Sequence, residues 1–281
     1  MNLRFGLKLS GQATNVEELR AVWRIADESG FDHCWDFDHF ASLGGDPELD
    51  VFEAWTLLAA MAEATSRVRI GCMVTGNTYR HPAVLAKSAA TVDHLSGGRL
   101  EFGLGAAWAE LEHTMLDVEF GTVGQRIARL DEACRMIKLL WSEERSDFEG
   151  RYYRLRSAIA NPKPVQQPRP PIWIGGSGER KTLRVVAEHA DVWNAAGGDP
   201  AEVARLSGVL DAHCADVGRD SAEIRRSVQI RFEGDTDELA RTVEAYVAVG
   251  VVDVIVMLIG GQAEAHAERA AEALPTLREL G

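Results

Sequence analysis

No apolar run in this sequence is long enough to cross a bilayer, and the opening residues MNLRFGLKLS lack a signal-peptide pattern. A protein that is neither exported nor membrane-anchored is therefore expected. Cysteine is scarce: Cys34, Cys72, Cys134 and Cys214 lie far apart, with no C-x-x-C pair. That spacing excludes a zinc framework and a disulfide scaffold, and predicts reduced thiols in the cytoplasm. Positive charge is also short, at 30 Lys and Arg against 43 Asp and Glu. The resulting net charge of −13 repels phosphates overall, which argues against a nucleic-acid partner or an anionic membrane surface. A single local basic pocket remains compatible with it.

What is present is hydrophobic material, 46% of the chain, enough for a large core. Residues 1–281 read as one domain. Short apolar runs alternate with longer amphipathic segments. Leu3–Leu9 precedes Val16–Ser29, Phe31–Phe37 precedes Phe52–Ala64, and Val68–Val74 precedes Pro82–Leu95. Leu100–Leu104 precedes helices near Trp108–Leu116 and Gln125–Trp141. After a longer connection come Pro171–Ile174 with Glu179–His189, and Asp191–Asn194 with Pro200–Val217. Ser227–Phe232 with Thr236–Val249 and Val252–Leu258 with Ala263–Leu277 complete the series. Eight strand–helix units in a chain of this length predict a (β/α)8 TIM barrel. The alternative, a doubly wound open sheet, usually has a Gly-rich turn after its first strand, and SGQATN carries no G-x-G-x-x-G.

In such a barrel the loops after the strands share one mouth, where active sites lie. Four loops stand out. GCMVTGNTYRHPAVLAK holds far more hydrogen-bonding chemistry than a connector needs before Pro82 opens a helix. In WDFDHF, Asp36, Asp38 and His39, with His33 upstream, suggest either a metal site or proton transfer. No second cluster supports metal; the plain alternative is that these residues cap the loop and bond its backbone, and a hydrogen-bonding and proton-transfer role for Asp38 and His39 is preferred. IWIGGSGERKTLRVV combines flexible residues with a helix start near Glu179 and with Arg180, Lys181 and Arg184, which reads as an anion site or as an ordinary turn with solvated charges. RLEFGLGAAWAELEH presents Gly103, Gly105, Ala106 and Ala107, a nearly side-chain-free surface suited to a planar ring or to tight packing. Trp108 reads as a pocket wall or a core anchor. Trp35, Trp173 and Trp193 read as barrel packing.

Together these stretches resemble the luciferase-like monooxygenase superfamily, in its branch of coenzyme F420-dependent oxidoreductases. The resemblance spans nearly the whole chain and rests on DHF at 38–40, MVTGNTYRHPAVLAK at 73–87, DHLSGGRLEFGLGAAW at 93–108, FEGRYYRL at 148–155, NPKPVQ at 161–166 and PPIWIGGSGERKTLR at 170–184. It implies a barrel with an insertion before strand five, matching the proline-rich stretch at about 142–171. It implies F420, or alternatively FMN, in the mouth, with the phosphate tail near Gly175–Gly178. By position it assigns Asp38, Cys72, Met73, Ala106, Gly175, Gly176, Ser177, Gly178 and Ala195 to cofactor contact, and His39 to proton transfer. The anionic tail of F420 would favour a basic path near Arg180, Lys181 and Arg184. A non-proline cis peptide is implied at Cys72–Met73, and a homodimer is the common assembly.

Three departures qualify the resemblance. Trp108 stands where the sugar-phosphate dehydrogenase branch has a catalytic acid, which disfavours that substrate. Ala107 replaces a frequent glycine. LKLSGQAT ends the first strand without the commoner proline-containing loop. The implied activity is hydride transfer between the ring and a small organic substrate. The alternatives are an FMN-dependent monooxygenase and a flavin-binding barrel without turnover.

Overall fold

Runs with apolar residues on both faces become strands buried on both sides, and the amphipathic segments between them become helices that cover the outside. The computed structural model describes residues 3–44, 46 and 48–281. The chain runs β1 (Arg4–Leu9), α1 (Val16–Glu28), β2 (His33–Asp36), α2 (Ala54–Ala64), β3 (Arg69–Cys72), β4 (Thr75–Gly76) and α3 (Pro82–Leu95). It continues with β5 (Leu100–Gly105), α4 (Glu110–Met115), α5 (Val123–Ser142), β6 (Ser146–Glu149) and β7 (Arg154–Ala158). Last come β8 (Ile172–Gly175), α6 (Thr182–His189), β9 (Val192–Ala195), α7 (Pro200–Val217), β10 (Arg225–Arg231), α8 (Thr236–Val247), β11 (Asp253–Leu258) and α9 (Ala263–Arg278).

Eight strands pair in parallel in the ring order β1, β2, β3, β5, β8, β9, β10, β11, and β11 returns to β1. This closed ring is a (β/α)8 barrel, as expected. The two-residue β4 extends the line of β3 along β5. Among the described residues no helix is long and apolar enough to span a membrane.

Local signals set the helix limits. His81 caps α3 and Pro82 occupies its first turn; Asp199 and Pro200 do the same for α7, which stops at Gly218 in the left-handed region at φ 70°. One start differs from expectation: α6 begins at Thr182 rather than near Glu179, with no side-chain cap. The segment at about 142–171 carries an antiparallel hairpin, β6–β7, that hydrophobic pattern did not reveal.

The core has two parts. A large outer layer lies between strands and helices. Inside the ring, Trp35, Trp173, Val192 and Ile255 form a small apolar plug, with Met73 above it. Trp35 and Trp173 are thus interior packing, whereas Trp193 lies in the outer layer.

Candidate active site

Above the plug, at the carboxyl ends of the strands, is a cavity of about 620 Å³. One side is flat. Gly105, Ala106 and Ala107 follow β5, Met73 and Val74 follow β3, and Gly175 and Gly176 follow β8; all line the cavity. The glycines of this wall are a packing necessity. A Cβ on Gly103 would sit 1.9 Å from the Cys72 carbonyl oxygen, and one on Gly105 would sit 2.7 Å from a Val74 methyl. The strands can approach only as glycines, and the by-product is a smooth slot. The Trp193 indole N–H donates to the Gly176 carbonyl at 2.8 Å and anchors the loop that ends this wall.

His39 enters from the loop after β2. Its Nδ1 lies 2.9 Å from Glu112 Oε2, and among the described residues its Nε2 makes no hydrogen bond. Glu112, on α4, also accepts the Phe40 and Ala41 backbone N–H groups at 2.7 and 2.9 Å, and the Tyr79 hydroxyl. Burial disfavours its charge, yet donors from His39, Tyr79 and Ala41 prevail and hold its pKa down at about 2. A permanent carboxylate therefore faces Nδ1, which favours the tautomer protonated there and leaves Nε2 to the cavity.

The polar loop 74–81 braces this arrangement. Asn77 N–H donates to Gly105 O at 3.0 Å, Thr78 meets His113 at 2.6 Å, and Tyr79 reaches Glu112. Arg80 grips Asp38 at 2.6 and 3.0 Å and also Glu53. Asp38 lines the cavity, but it spends its oxygens on Arg80 and on the Gly76 N–H at 3.1 Å.

The cis peptide lies at Met73–Val74, one bond later than expected at Cys72–Met73. Cys72 still pairs with Asp36 in the ladder, and Met73 N–H continues it to Asp36 O at 3.0 Å, so regular pairing breaks only beyond Met73. Cys72 is fully buried and does not line the cavity; burial pushes its thiol far above the usual range.

Other expected positions divide in the same way. Met73, Ala106, Gly175 and Gly176 line the cavity, while buried Ala195 gives way to its neighbour Ala196. Ser177, Gly178 and Arg180 are exposed on the rim, outside the lining. Arg184 faces away and pairs with Glu188 at 2.6 Å. Trp108 is a wall: it is 67% exposed and stands edge-on to His39 with centroids 5.6 Å apart. His33 is drawn into the far end of the barrel, onto Asp253 at 3.3 Å, and does not join Asp38 and His39. Among the described residues the one group spaced to ligate a metal, Asp131, Glu188 and His189, lies away from the mouth on α5 and α6.

Three lining residues carry chemistry that sequence reasoning missed. Lys8 is wholly buried, and its Nζ donates to Met73 O at 3.1 Å and Gln229 Oε1 at 2.6 Å. Burial brings its pKa down to about 8. Gln229 in turn donates to Asn194 at 2.9 Å. Arg126, on the first turn of α5, bonds Gly121 O at 2.8 Å, lies 3.6 Å over the Phe120 ring, and has no carboxylate partner among the described residues. Lys8 had one local signal, a lysine inside an otherwise apolar strand; nothing in the spacing around Arg126 singled it out.

A closed parallel barrel with a slot and a carboxylate-held histidine at its carboxyl-terminal mouth defines an enzyme-like (β/α)8 protein. Residues 3–279 match the luciferase-like monooxygenase family, and the chain belongs to it. It is 35% identical to the F420-dependent glucose-6-phosphate dehydrogenase of Kineococcus radiotolerans, over 84% of this chain and 69% of that one. It is 30% identical to the F420-dependent hydroxymycolic acid dehydrogenase of Mycobacterium tuberculosis, over 88% and 68%. In fold it is similar to an F420-dependent secondary alcohol dehydrogenase solved with an F420–acetone adduct, with a TM-score of 0.89, 18% identity and 99% of both chains covered.

Proposed function

We propose that this protein is an F420-dependent oxidoreductase acting on a small organic substrate, with residues 1–281 serving one site as a single domain. The carrying observation is the slot beside His39. Glycine and alanine on the ends of β5 and β8, beside Met73 and Val74 after β3, fit a planar tricyclic ring, and the relatives named above are F420-dependent. When bound, F420 supplies a ring that accepts or donates a hydride.

The chain's own residues do the rest. Met73, Val74, Ala106, Gly175 and Gly176 support the ring, and the lysine at the cavity floor adds a cation beneath it. Arg126 lines the edge of the slot, and Lys181 lies so near α5 that a Cβ on Gly124 would be 3.4 Å from its Nζ. These two, with Ser177, Gly178 and Arg180 on the exposed rim, would hold the anionic tail. His39 exchanges a proton with the substrate oxygen at Nε2, and Glu112 keeps that nitrogen aimed and the opposite one protonated. Asp38 holds Arg80 and so the loop behind the ring.

The same slot would admit FMN, and the tail separates the two cofactors. Titration of the purified protein is expected to give tighter binding of F420 than of FMN, and Lys181→Glu to weaken F420 more than a deazaflavin lacking the tail. FMN bound as tightly as F420 would overturn the assignment. We also propose a homodimer, the default symmetric assembly, working in the cytoplasm, where four buried free thiols stay reduced. Light scattering of the titrated sample reads its mass; a monomer rejects the dimer alone.

A further inference from the structure

We infer that the substrate is an uncharged molecule with an apolar body and one hydroxyl or carbonyl group. This rests on the F420 assignment and names the substrate class for that site. The ring order places the ends of β10, β11 and β1 across the mouth from the flat wall on β3, β5 and β8. With a planar ring on the flat wall, the substrate lies between it and the facing side.

That facing side is apolar along β11 and the overhanging β2 loop, and its two lining cations, Lys8 on β1 and Arg231 on β10, already have hydrogen-bond or ion-pair partners. Met257 lies near the end of β11 and Ile259 follows it, Leu43 hangs over from the β2 loop, and Trp108 closes the side next to His39. Ile259 is 39% exposed and Trp108 is 67% exposed, so both offer apolar surface that a bound molecule would remove from water. The cations within reach are engaged. Arg231 pairs with Glu233 at 2.8 Å, Arg80 with Asp38 and Glu53, and Lys8 with Gln229 and Met73 O.

A phosphate dianion placed here would lose its hydration and meet only Arg231, shared with Glu233 at 2.8 Å, and Lys8, whose Nζ is held by Gln229 and Met73 O at the cavity floor. The unpaired guanidinium, Arg126, stands at the end of β5, on the opposite side. The polar groups left for a substrate are His39 Nε2, the Ser10 hydroxyl and the Gln12 side-chain NH2, since Gln12 Oε1 accepts the Leu43 N–H at 2.7 Å. They suffice to hold a single oxygen beside His39 and leave the remainder of the molecule against Trp108 and Ile259.

The test uses protein saturated with F420. A medium-chain secondary alcohol, its ketone and glucose 6-phosphate are titrated separately, read by the cofactor's fluorescence and by initial rates. The alcohol or ketone is expected to bind at least about tenfold more tightly than glucose 6-phosphate. Trp108→Ala, at an exposed position, is expected to weaken the apolar ligand about tenfold while F420 affinity and thermal midpoint stay near those of the parent protein. Glucose 6-phosphate binding as tightly as the alcohol, or F420 binding with neither apolar ligand following, overturns this inference. Failure of F420 itself to bind overturns the cofactor assignment instead.

Discussion

One carboxylate, Glu112, does several jobs for the residue that matters most. It accepts from His39, from Tyr79 and from two backbone amides, so it fixes both the imidazole's orientation and the loop that carries it. With its folded pKa near 2 against an ordinary 4.5, its contribution to stability is complete above 4.5 and disappears as pH falls toward 2. At neutral pH it is always charged. Glu112→Gln keeps the shape but removes the negative partner of Nδ1 and supplies a donor where an acceptor is needed. We expect kcat to fall about tenfold or more while F420 affinity changes little, with partial recovery in Glu112→Asp. A Glu112→Gln enzyme with unaltered kcat would reduce this residue to a loop brace.

At the level of elements, the β6–β7 hairpin hangs from α5 by a second multivalent carboxylate. Glu132 accepts the backbone N–H groups of Arg151, Tyr152 and Tyr153 at 2.8, 2.9 and 3.1 Å. Gly150 makes this approach possible, since a Cβ there would lie 2.3 Å from Glu132 Oε2. Removing the carboxylate leaves these amides without their acceptor in a part-buried turn. Glu132→Ala is expected to cost about 2–4 kcal/mol in urea unfolding and to admit protease between β6 and β7 first. Wild-type stability in that variant would show that water replaces the carboxylate without loss.

Across the whole molecule, the ring is tied at its amino-terminal end by one polar layer. Arg4 of β1 bonds Glu101 of β5, which also receives Arg69 of β3 and the Trp173 indole of β8. Asp253 of β11 meets His33 of β2 at 3.3 Å and Arg225 of β10 at 3.1 Å. Burial holds His33 below its ordinary 6.5, so the folded state refuses a proton that the unfolded chain accepts. Its contribution is therefore present above 6.5 and lost as pH falls below it. Asp253, although burial alone would raise it, is held below 3.8 by His33 and Arg225, and its contribution is lost lower still. The urea midpoint should be level above 6.5 and fall in two stages beneath it. Asp253→Asn should cost about 1–3 kcal/mol at neutral pH by removing the carboxylate that pairs Arg225 and meets His33. A midpoint independent of pH down to the carboxylate range would remove the titrating layer.

The alternation of strand and helix was legible in the chain because hydrophobic period, capping residues and proline at a first turn are local properties. The limits of Pro82–Leu95 and Pro200–Val217 were read to the residue on those grounds. The smooth wall was legible for a related reason: glycine and alanine after β5 and β8 leave little else that the backbone could present. What tertiary structure decided is which distant side chains face one another. His39 and Glu112 are 73 positions apart, and Lys8 and Gln229 are 221 apart; they meet only because β2 lies near α4 and because β11 alone separates β1 from β10 in the ring. Sequence placed the basic tail path near Arg180, Lys181 and Arg184, where charge clusters along the chain, yet the cavity is lined by Arg126, whose helix happens to begin at the slot's edge. Charge near a glycine loop is a property of order along the chain. Charge facing a cavity depends on which strands the ring makes neighbours.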